Sequence, residues 1–163
     1  MSKNSKEQVE YWDKILDQYE NSIGLPQYNR DALPEKELNE YLSMNRDELE
    51  KLVPQDCGQI AYRISQFVFH LQRTINREIA RYNWADEEIK ITIADDINNY
   101  KGYGYIEKSY QAIKHNEKAY ALNQIKKYAK QRNDRLSYMA NSLKNLSDIL
   151  VSIQRTKSNP SLS

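Results

Sequence analysis

At 163 residues, the chain has room for one domain and is short for two. Glycine and proline are scarce at four each, while 29% of the residues are charged and 39% are apolar. This composition is typical of a helix-rich protein and disfavours a β-sandwich, which needs turn residues about every 8–12 positions. The net charge of +1 combines −5 over residues 1–53 (7 basic, 12 acidic) with +6 over residues 54–163 (17 basic, 11 acidic).

The charge asymmetry has several interpretations. An acidic arm beside a basic body can pair with that body, bind a neighbouring subunit or compete with a polyanion. Chance scatter of the charges is an equal alternative. The mean hydropathy of −0.90 suits long exposed helices, or an assembly that buries its apolar stripes between subunits.

The cysteine content and the hydropathy profile predict the cellular compartment of the chain. Cys57 is the only cysteine, so no intrachain disulfide can form and a reducing, cytoplasmic setting is expected. The first residues lead into no apolar segment, so no signal peptide is expected. No apolar run approaches the roughly 18 residues of a membrane span, so no membrane partner is expected.

An apolar seam predicts a first helix over about residues 5–23. Ser5 and Gln8 have the spacing of a capping box, in which each side chain accepts a backbone N–H of the other residue. The seam recurs at spacings of 3, 4, 3 and 4 residues through Val9, Trp12, Leu16, Tyr19 and Ile23. Gly24 then ends the helix, and residues 24–33 are predicted as a loop.

Two short helices complete an acidic helical arm over residues 1–53. A helix is predicted over residues 35–43, and Asn45 with Glu48 predicts the start of another over residues 46–53. Helices of this length are unstable alone, so both are expected to pack on another element.

A long helix is predicted to begin at Pro54 and to run to about residue 98. Its apolar positions follow an 11-residue rhythm, which is close to the natural period of a straight helix. They are Ile60, Ile64, Val68, Leu71, Ile75, Ile79 and Tyr82, continued by Ile89, Ile93 and Ile97. Residues 98–105, which hold two of the four glycines, are predicted as the turn that follows.

A second long helix is predicted from Ile106 onward, and from Leu122 its apolar seam is a strict heptad. The seam consists of Leu122, Ile125, Ala129, Arg132, Leu136, Met139, Leu143, Leu146, Leu150 and Ile153. Arg132 is the charged member, and it is expected to meet a carboxylate, extend to solvent or face a polar channel. The alternative is that position 132 lies at the edge of a wider stripe.

The predicted fold class is therefore all-α. A long antiparallel, coiled-coil-like helical hairpin occupies residues 54–156, the N-terminal helix and the two short helices pack on it, and residues 157–163 form a disordered tail. Because the two long helices carry different periods, the strict heptad is also expected to meet copies of itself in a homo-oligomer. The predicted oligomer seam consists of Leu136, Met139, Leu143, Leu146, Leu150 and Ile153.

Catalytic and metal-binding patterns are missing from the sequence. His70 lies beside an apolar position and His115 lies among lysines, so each is expected to pack or face solvent rather than act as a general base. No phosphate-binding glycine loop and no His/Cys cluster with metal spacing is present. The chain is expected to be no enzyme and to hold no metal and no cofactor.

Basic and aromatic residues around the predicted turn favour binding of single-stranded nucleic acid. Arg73, Arg77 and Arg81 stand four residues apart and share one helix face. The second helix adds Lys114, Lys118, Lys126, Lys127 and Lys130, and the turn region adds Tyr100, Lys101, Gly102, Tyr103, Tyr105 and Lys108. Cations follow a nucleic-acid backbone while rings stack on bases. The alternative is a solubilising surface whose tyrosines pack the turn.

The motif Tyr100-Lys101-Gly102 precedes a heptad helix that ends Leu143-Lys-Asn-Leu146-Ser-Asp-Ile149-Leu150-Val-Ser-Ile153-Gln-Arg155. Over about residues 60–155 this pattern resembles the UvsY-type recombination mediator proteins of tailed phages. The resemblance implies a ring-shaped homo-oligomer that binds single-stranded DNA through the arginines before the turn and through Tyr100, Lys101 and Gly102. It also implies two protein partners, a recombinase that is loaded and a single-strand-binding protein that is displaced, in the host cytoplasm.

Two functions follow as hypotheses. The first is a non-enzymatic, single-stranded DNA-binding accessory protein that helps to load a phage recombinase. Because a charge of +6 over 110 residues is mild, binding by this protein is expected to depend on several subunits. The second is a helical structural or adaptor protein of a phage particle or assembly pathway, with no nucleic-acid role.

Overall fold

A computed structural model of the chain describes residues 5–24 and 33–159, and within them all regular structure is helical. The prediction of an all-α fold is confirmed. The helices are α1 (Ser5–Ser22), α2 (Glu35–Ser43), α3 (Arg46–Lys51), α4 (Pro54–Ile93), α5 (Tyr105–His115) and α6 (Glu117–Ser158), with a 3₁₀ turn at Ile97–Asn99 between α4 and α5. The side chain of Ser5, most of the predicted loop (residues 25–32) and residues 160–163 of the predicted tail lie outside the described residues.

The long helices α4 and α6 pack against each other, as the hairpin prediction requires. α4 begins at Pro54 as predicted but ends at Ile93, because turns at residues 94–96 and the 3₁₀ segment lead into the predicted turn. The predicted start of α3 after Asn45 is confirmed, and it takes the form of a capping box. The Asn45 side chain accepts the Glu48 N–H at 3.0 Å, and the Asn45 N–H donates to Glu48 at 2.8 Å.

The predicted second long helix is interrupted at Asn116, and this part of the prediction was wrong. The Asn116 side chain accepts the backbone N–H of Ala119 at 3.0 Å, which caps the first turn of α6. The Asn116 N–H donates to the Ala112 carbonyl at 3.0 Å and so closes α5. One residue therefore ends one helix and begins the next, without the glycine or proline by which a break is usually recognised.

The chain divides into two compact units. The first unit comprises Met1–Pro26 and Ile75–Asp134, and the second comprises Gln27–Thr74 and Arg135–Ser163. α1 therefore falls in the first unit, and α2 and α3 fall in the second. The core of the first unit joins the end of α4 to α5 and the start of α6, through Ile89, Ile93, Ile97, Ala112, Ala119 and Leu122, with Trp84, Tyr100 and Ile113 packed around them.

The predicted oligomer seam lies in the second unit. Leu143 and Leu150 are fully buried there, within the chain's own core, as are Ile64 and Cys57 of the same unit. Leu136, Leu146 and Ile153 are half-buried, whereas Met139 is exposed. Within the described residues, the most buried members of the seam are thus covered by their own chain. A homo-oligomer remains a proposal, and it would have to use surface outside Leu143 and Leu150.

Candidate nucleic-acid interface

In the first unit, two of the three predicted arginines face α1. Arg77 pairs with Asp17, and its Nη2 also lies 3.2 Å from Glu20 Oε2. Arg81 pairs with Asp13, and its Nη1 lies 2.5 Å from Glu78 Oε1. We call Arg77 and Arg81 the arginine face.

The spacing of the acidic residues on α1 explains this contact. Asp13, Asp17 and Glu20 stand at i, i+4 and i+7 and therefore share one face of the helix. Burial lowers the pKa of Arg81, but its hydrogen bond to Asp13 and the charge of Glu78 outweigh that effect, so that the pKa is raised. The acidic arm thus pairs with the basic body, which is one of the alternatives that the charge asymmetry raised.

The third predicted arginine lies outside the first unit. Arg73 belongs to the second unit, is half-buried and has an interaction partner of its own. The arginines are therefore engaged by protein groups rather than displayed to solvent as an open cationic stripe.

The predicted turn residues divide into structural and exposed members. Tyr100 is half-buried and stacks on His115, with ring centroids 5.8 Å apart and planes 10° from parallel. A Cβ added to Gly102 would lie 3.0 Å from the Glu107 Cβ, so the glycine allows the turn to approach α5 closely. Lys101, Tyr103 and Tyr105 are exposed and Lys108 is half-buried.

A groove that no sequence pattern indicated lies between α4, α5 and α6. Its volume is about 350 Å³, and it is lined by Tyr82, Ile106, Ser109, Tyr110, Ile113, Asn123, Lys126, Lys127 and Lys130. We call it the lysine–tyrosine groove. Its lysines were noted in the sequence, but Tyr82 and Tyr110 are 28 positions apart and meet only because α5 folds back beside α4.

The three lysines of the groove differ in their electrostatic state. Lys126 donates to Asp86 at 2.5 Å and lies 5.3 Å from the centroid of the Tyr82 ring. Lys127 and Lys130 are exposed, and neither has an ion pair within residues 5–24 and 33–159. These two ammonium groups are the charges that the groove offers to a ligand.

A second cavity of about 240 Å³ shares two lining residues with the groove. Tyr82 and Lys130 line both cavities, and the second is completed by Ile79, Asn133 and Asp134. Residues 105–130, which form α5 and the first part of α6, hold six lysines and two glutamates, a net charge of +4. They also expose the rings of Tyr105, Tyr110, Tyr120 and Tyr128.

No family model, no curated protein and no solved structure matches the chain. In the described ranges, 5–24 and 33–159, no helix is both long and apolar enough to cross a membrane. The same ranges hold no group of three or more histidine, cysteine, aspartate or glutamate side chains placed to bind a metal ion.

Proposed function

We propose that this chain is a non-enzymatic protein that binds single-stranded DNA through the lysine–tyrosine groove. The observation that carries the proposal is the placement of Lys127 and Lys130, which lack protein partners among the described residues, beside the rings of Tyr82 and Tyr110. Ammonium groups neutralise phosphates, while tyrosine rings stack on bases at about 1–3 kcal/mol per base. An open groove suits a flexible strand, whereas a rigid duplex cannot insert its bases between side chains.

The accessory role in recombination rests on the resemblance to UvsY-type mediators. In that role, the chain is a homo-oligomer that holds single-stranded DNA, displaces a single-strand-binding protein and loads a recombinase. The contacts with DNA lie at the groove and at the exposed turn residues Lys101, Tyr103 and Tyr105. A groove with two uncompensated lysines binds weakly by itself, so several linked copies supply the affinity.

The test is titration of a fluorescent oligo-dT strand with the chain at about 50 mM salt, a concentration at which phosphate contacts are strong. The variant Lys127→Gln/Lys130→Gln removes two phosphate contacts, and we expect its affinity to fall by more than 10-fold. Each lost contact also makes the salt dependence shallower by about 0.7 in log K against log salt. Equal binding by the variant and the wild type would refute the groove as the site.

The matched control is Lys36→Gln/Lys144→Gln, which removes the same charge from exposed positions in the second unit. We expect this control to bind almost as the wild type does. A loss equal to that of the groove variant would mean that net charge, and not the groove, determines binding. Sedimentation of the free protein tests the oligomer, since one copy has a mass of 19.3 kDa.

A helical structural or adaptor protein is the second candidate, and exposed rings on α4 favour it. Tyr62 and Phe69 are seven residues apart, share one face of the helix and are more than half exposed. An apolar face of this kind fits a protein partner better than a nucleic acid. Absence of oligo-dT binding at low salt, together with association that Phe69→Ser abolishes, would favour this candidate.

A further inference from the structure

The arginine face is covered by a helix that carries a row of negative charges. Asp13 and Asp17 are four residues apart on α1, which is about 6 Å along the helix axis, and Arg77 and Arg81 have the same separation on α4. Each arginine meets a carboxylate of α1. The face is therefore built to bind anions arranged in a row, and a phosphate backbone is the other common form of such a row.

Charge makes a large contribution to the attachment of α1. Trp12, Tyr19 and Ile23, three members of its apolar seam, remain 47%, 59% and 51% exposed. A cavity of about 350 Å³ remains between α1 and α4, with Trp12 on one side and Trp84 on the other. Because the apolar contact is incomplete, the ion pairs make a large contribution, and partly exposed ion pairs are individually weak and screened by salt.

The arginines are also incompletely satisfied by α1. Arg77 uses the single nitrogen Nη2 for both of its carboxylates, and the Nε atoms of Arg77 and Arg81 are buried without a hydrogen-bond partner among the described residues. A guanidinium binds an oxyanion best through two parallel N–H donors. A phosphate that replaced the carboxylates could engage both Nε and Nη2.

We infer that the arginine face is a second binding surface for single-stranded nucleic acid, and that α1 covers it until a strand displaces the helix. This inference rests on the proposed function, because the strand is first held in the lysine–tyrosine groove. Arg81 and Tyr82 are adjacent on α4, about 100° apart around its axis, so a strand that leaves the groove and passes around α4 reaches the arginine face. Arg81 keeps Glu78 as a partner when α1 leaves, whereas Arg77 loses Asp17 and Glu20, so Arg77 gains the stronger phosphate contact.

The test uses the full chain with Asp13→Asn/Asp17→Asn/Glu20→Gln, which removes the competing charges without changing side-chain size. Freed arginines gain between one and two phosphate contacts, so we expect about 10-fold tighter binding of a 20-nucleotide oligo-dT at 50 mM salt. The salt dependence should become steeper by about 0.7–1.4 in log K against log salt. Adding Arg77→Gln to the triple variant should abolish the gain.

The control variant Glu35→Gln/Glu40→Gln/Asp148→Asn raises the net charge by the same three units at exposed positions in the second unit. It should bind oligo-dT less than 3-fold tighter than the wild type. Equal gains in the two triple variants would overturn the inference, because general charge would then explain both.

Amide hydrogen exchange gives a readout that does not depend on affinity. In the wild type, oligo-dT should speed exchange over α1 as the helix detaches, while exchange over α5 and α6 slows. If the chain binds oligo-dT through Lys127 and Lys130 but amide exchange over α1 is unchanged, the displacement of α1 is overturned and the proposed function is not. Failure of both the wild type and the triple variant to bind would overturn the displacement and the proposed function together.

Discussion

The buried carboxylate of Glu78 provides a sharp test of how the first unit is held together. Its side chain is 4% exposed, with Arg81 Nη1 2.5 Å from Oε1 and Arg132 Nη2 2.9 Å from Oε2. The contact with Arg132 is close but not aligned as a hydrogen bond, since Oε2 has no hydrogen-bond partner. Glu78 therefore joins α4 to α6 by charge, and Glu78→Gln removes the charge while keeping the shape.

The magnitude follows from the balance of attraction and desolvation. A unit charge pair at about 4 Å is worth about 4 kcal/mol at an effective dielectric constant of 20, and Glu78 has two such pairs. Burying the carboxylate costs several kcal/mol, which glutamine avoids. Because Arg132 is 49% exposed and Arg81 keeps Asp13, the loss should lie below the 3–5 kcal/mol of a fully buried pair. We expect Glu78→Gln to lower the free energy of unfolding by about 2 kcal/mol.

Urea unfolding followed by circular dichroism measures this change as a lower midpoint at constant slope. A matched control is Glu87→Gln on the same helix, which is exposed and should change stability by less than about 0.5 kcal/mol. A double-mutant cycle with Arg132→Gln should return a coupling of about 1 kcal/mol. The reasoning that the buried charge stabilises the unit would be refuted if Glu78→Gln left the free energy of unfolding unchanged. It would also be refuted if Glu87→Gln lowered that free energy as much as Glu78→Gln does.

Three further predictions concern stability. Hydrogen bonds from Lys126 and then Lys90 lower the pKa of Asp86 below 3.8, so its contribution to stability is present above that pH and is lost as the pH falls through the lowered value. Asp86→Asn should therefore cost about 1 kcal/mol at pH 7 and progressively less as the pH falls below 3.8, as measured by urea midpoints over this range. Asn116→Ala removes the cap of α6 and should lower the free energy of unfolding by about 1 kcal/mol in the same assay. Asn116→Asp keeps a capping oxygen and should cost little, so equal losses in the two variants would argue against capping. Gly102→Ala places a Cβ 3.0 Å from Glu107 and should cost about 1 kcal/mol. Gly104→Ala meets nothing within 4 Å and should cost less, through the N-cap preference of α5 alone. A larger drop in the thermal midpoint for Gly104→Ala than for Gly102→Ala would contradict the packing of the turn.

Periodicity and local caps account for the parts of the fold that were predictable from sequence. The bounds of α2, the start of α4 at Pro54 and the capping box at Asn45 depend on neighbouring residues, so they can be read along the chain. The break at Asn116 is also local. It was missed because asparagine occurs inside helices as well as at their ends, and because apolar residues continue on both sides.

The candidate site was less predictable because it depends on which helices meet. Four-residue spacing correctly placed Arg77 and Arg81 on one face, but spacing alone does not show whether that face meets solvent or α1. The asymmetry of charge between the two parts of the chain was the relevant signal. Tyr82 was assigned to the apolar stripe of α4, and its role beside Lys126 depends on contacts that form only in the folded chain.

The distribution of charge also changes how the near-neutral composition should be interpreted. Charges more than about 8–10 Å apart are largely screened at physiological salt, so a bound strand responds to local charge rather than to the net +1. The carboxylates of α1 neutralise arginines of α4, while Lys127 and Lys130 have no such partner among the described residues. The groove therefore keeps two uncompensated positive charges, whereas the arginine face does not. It follows that the salt dependence of binding should become shallower by about 0.7 for each groove lysine that is removed, and should change little when exposed charges are removed from the second unit.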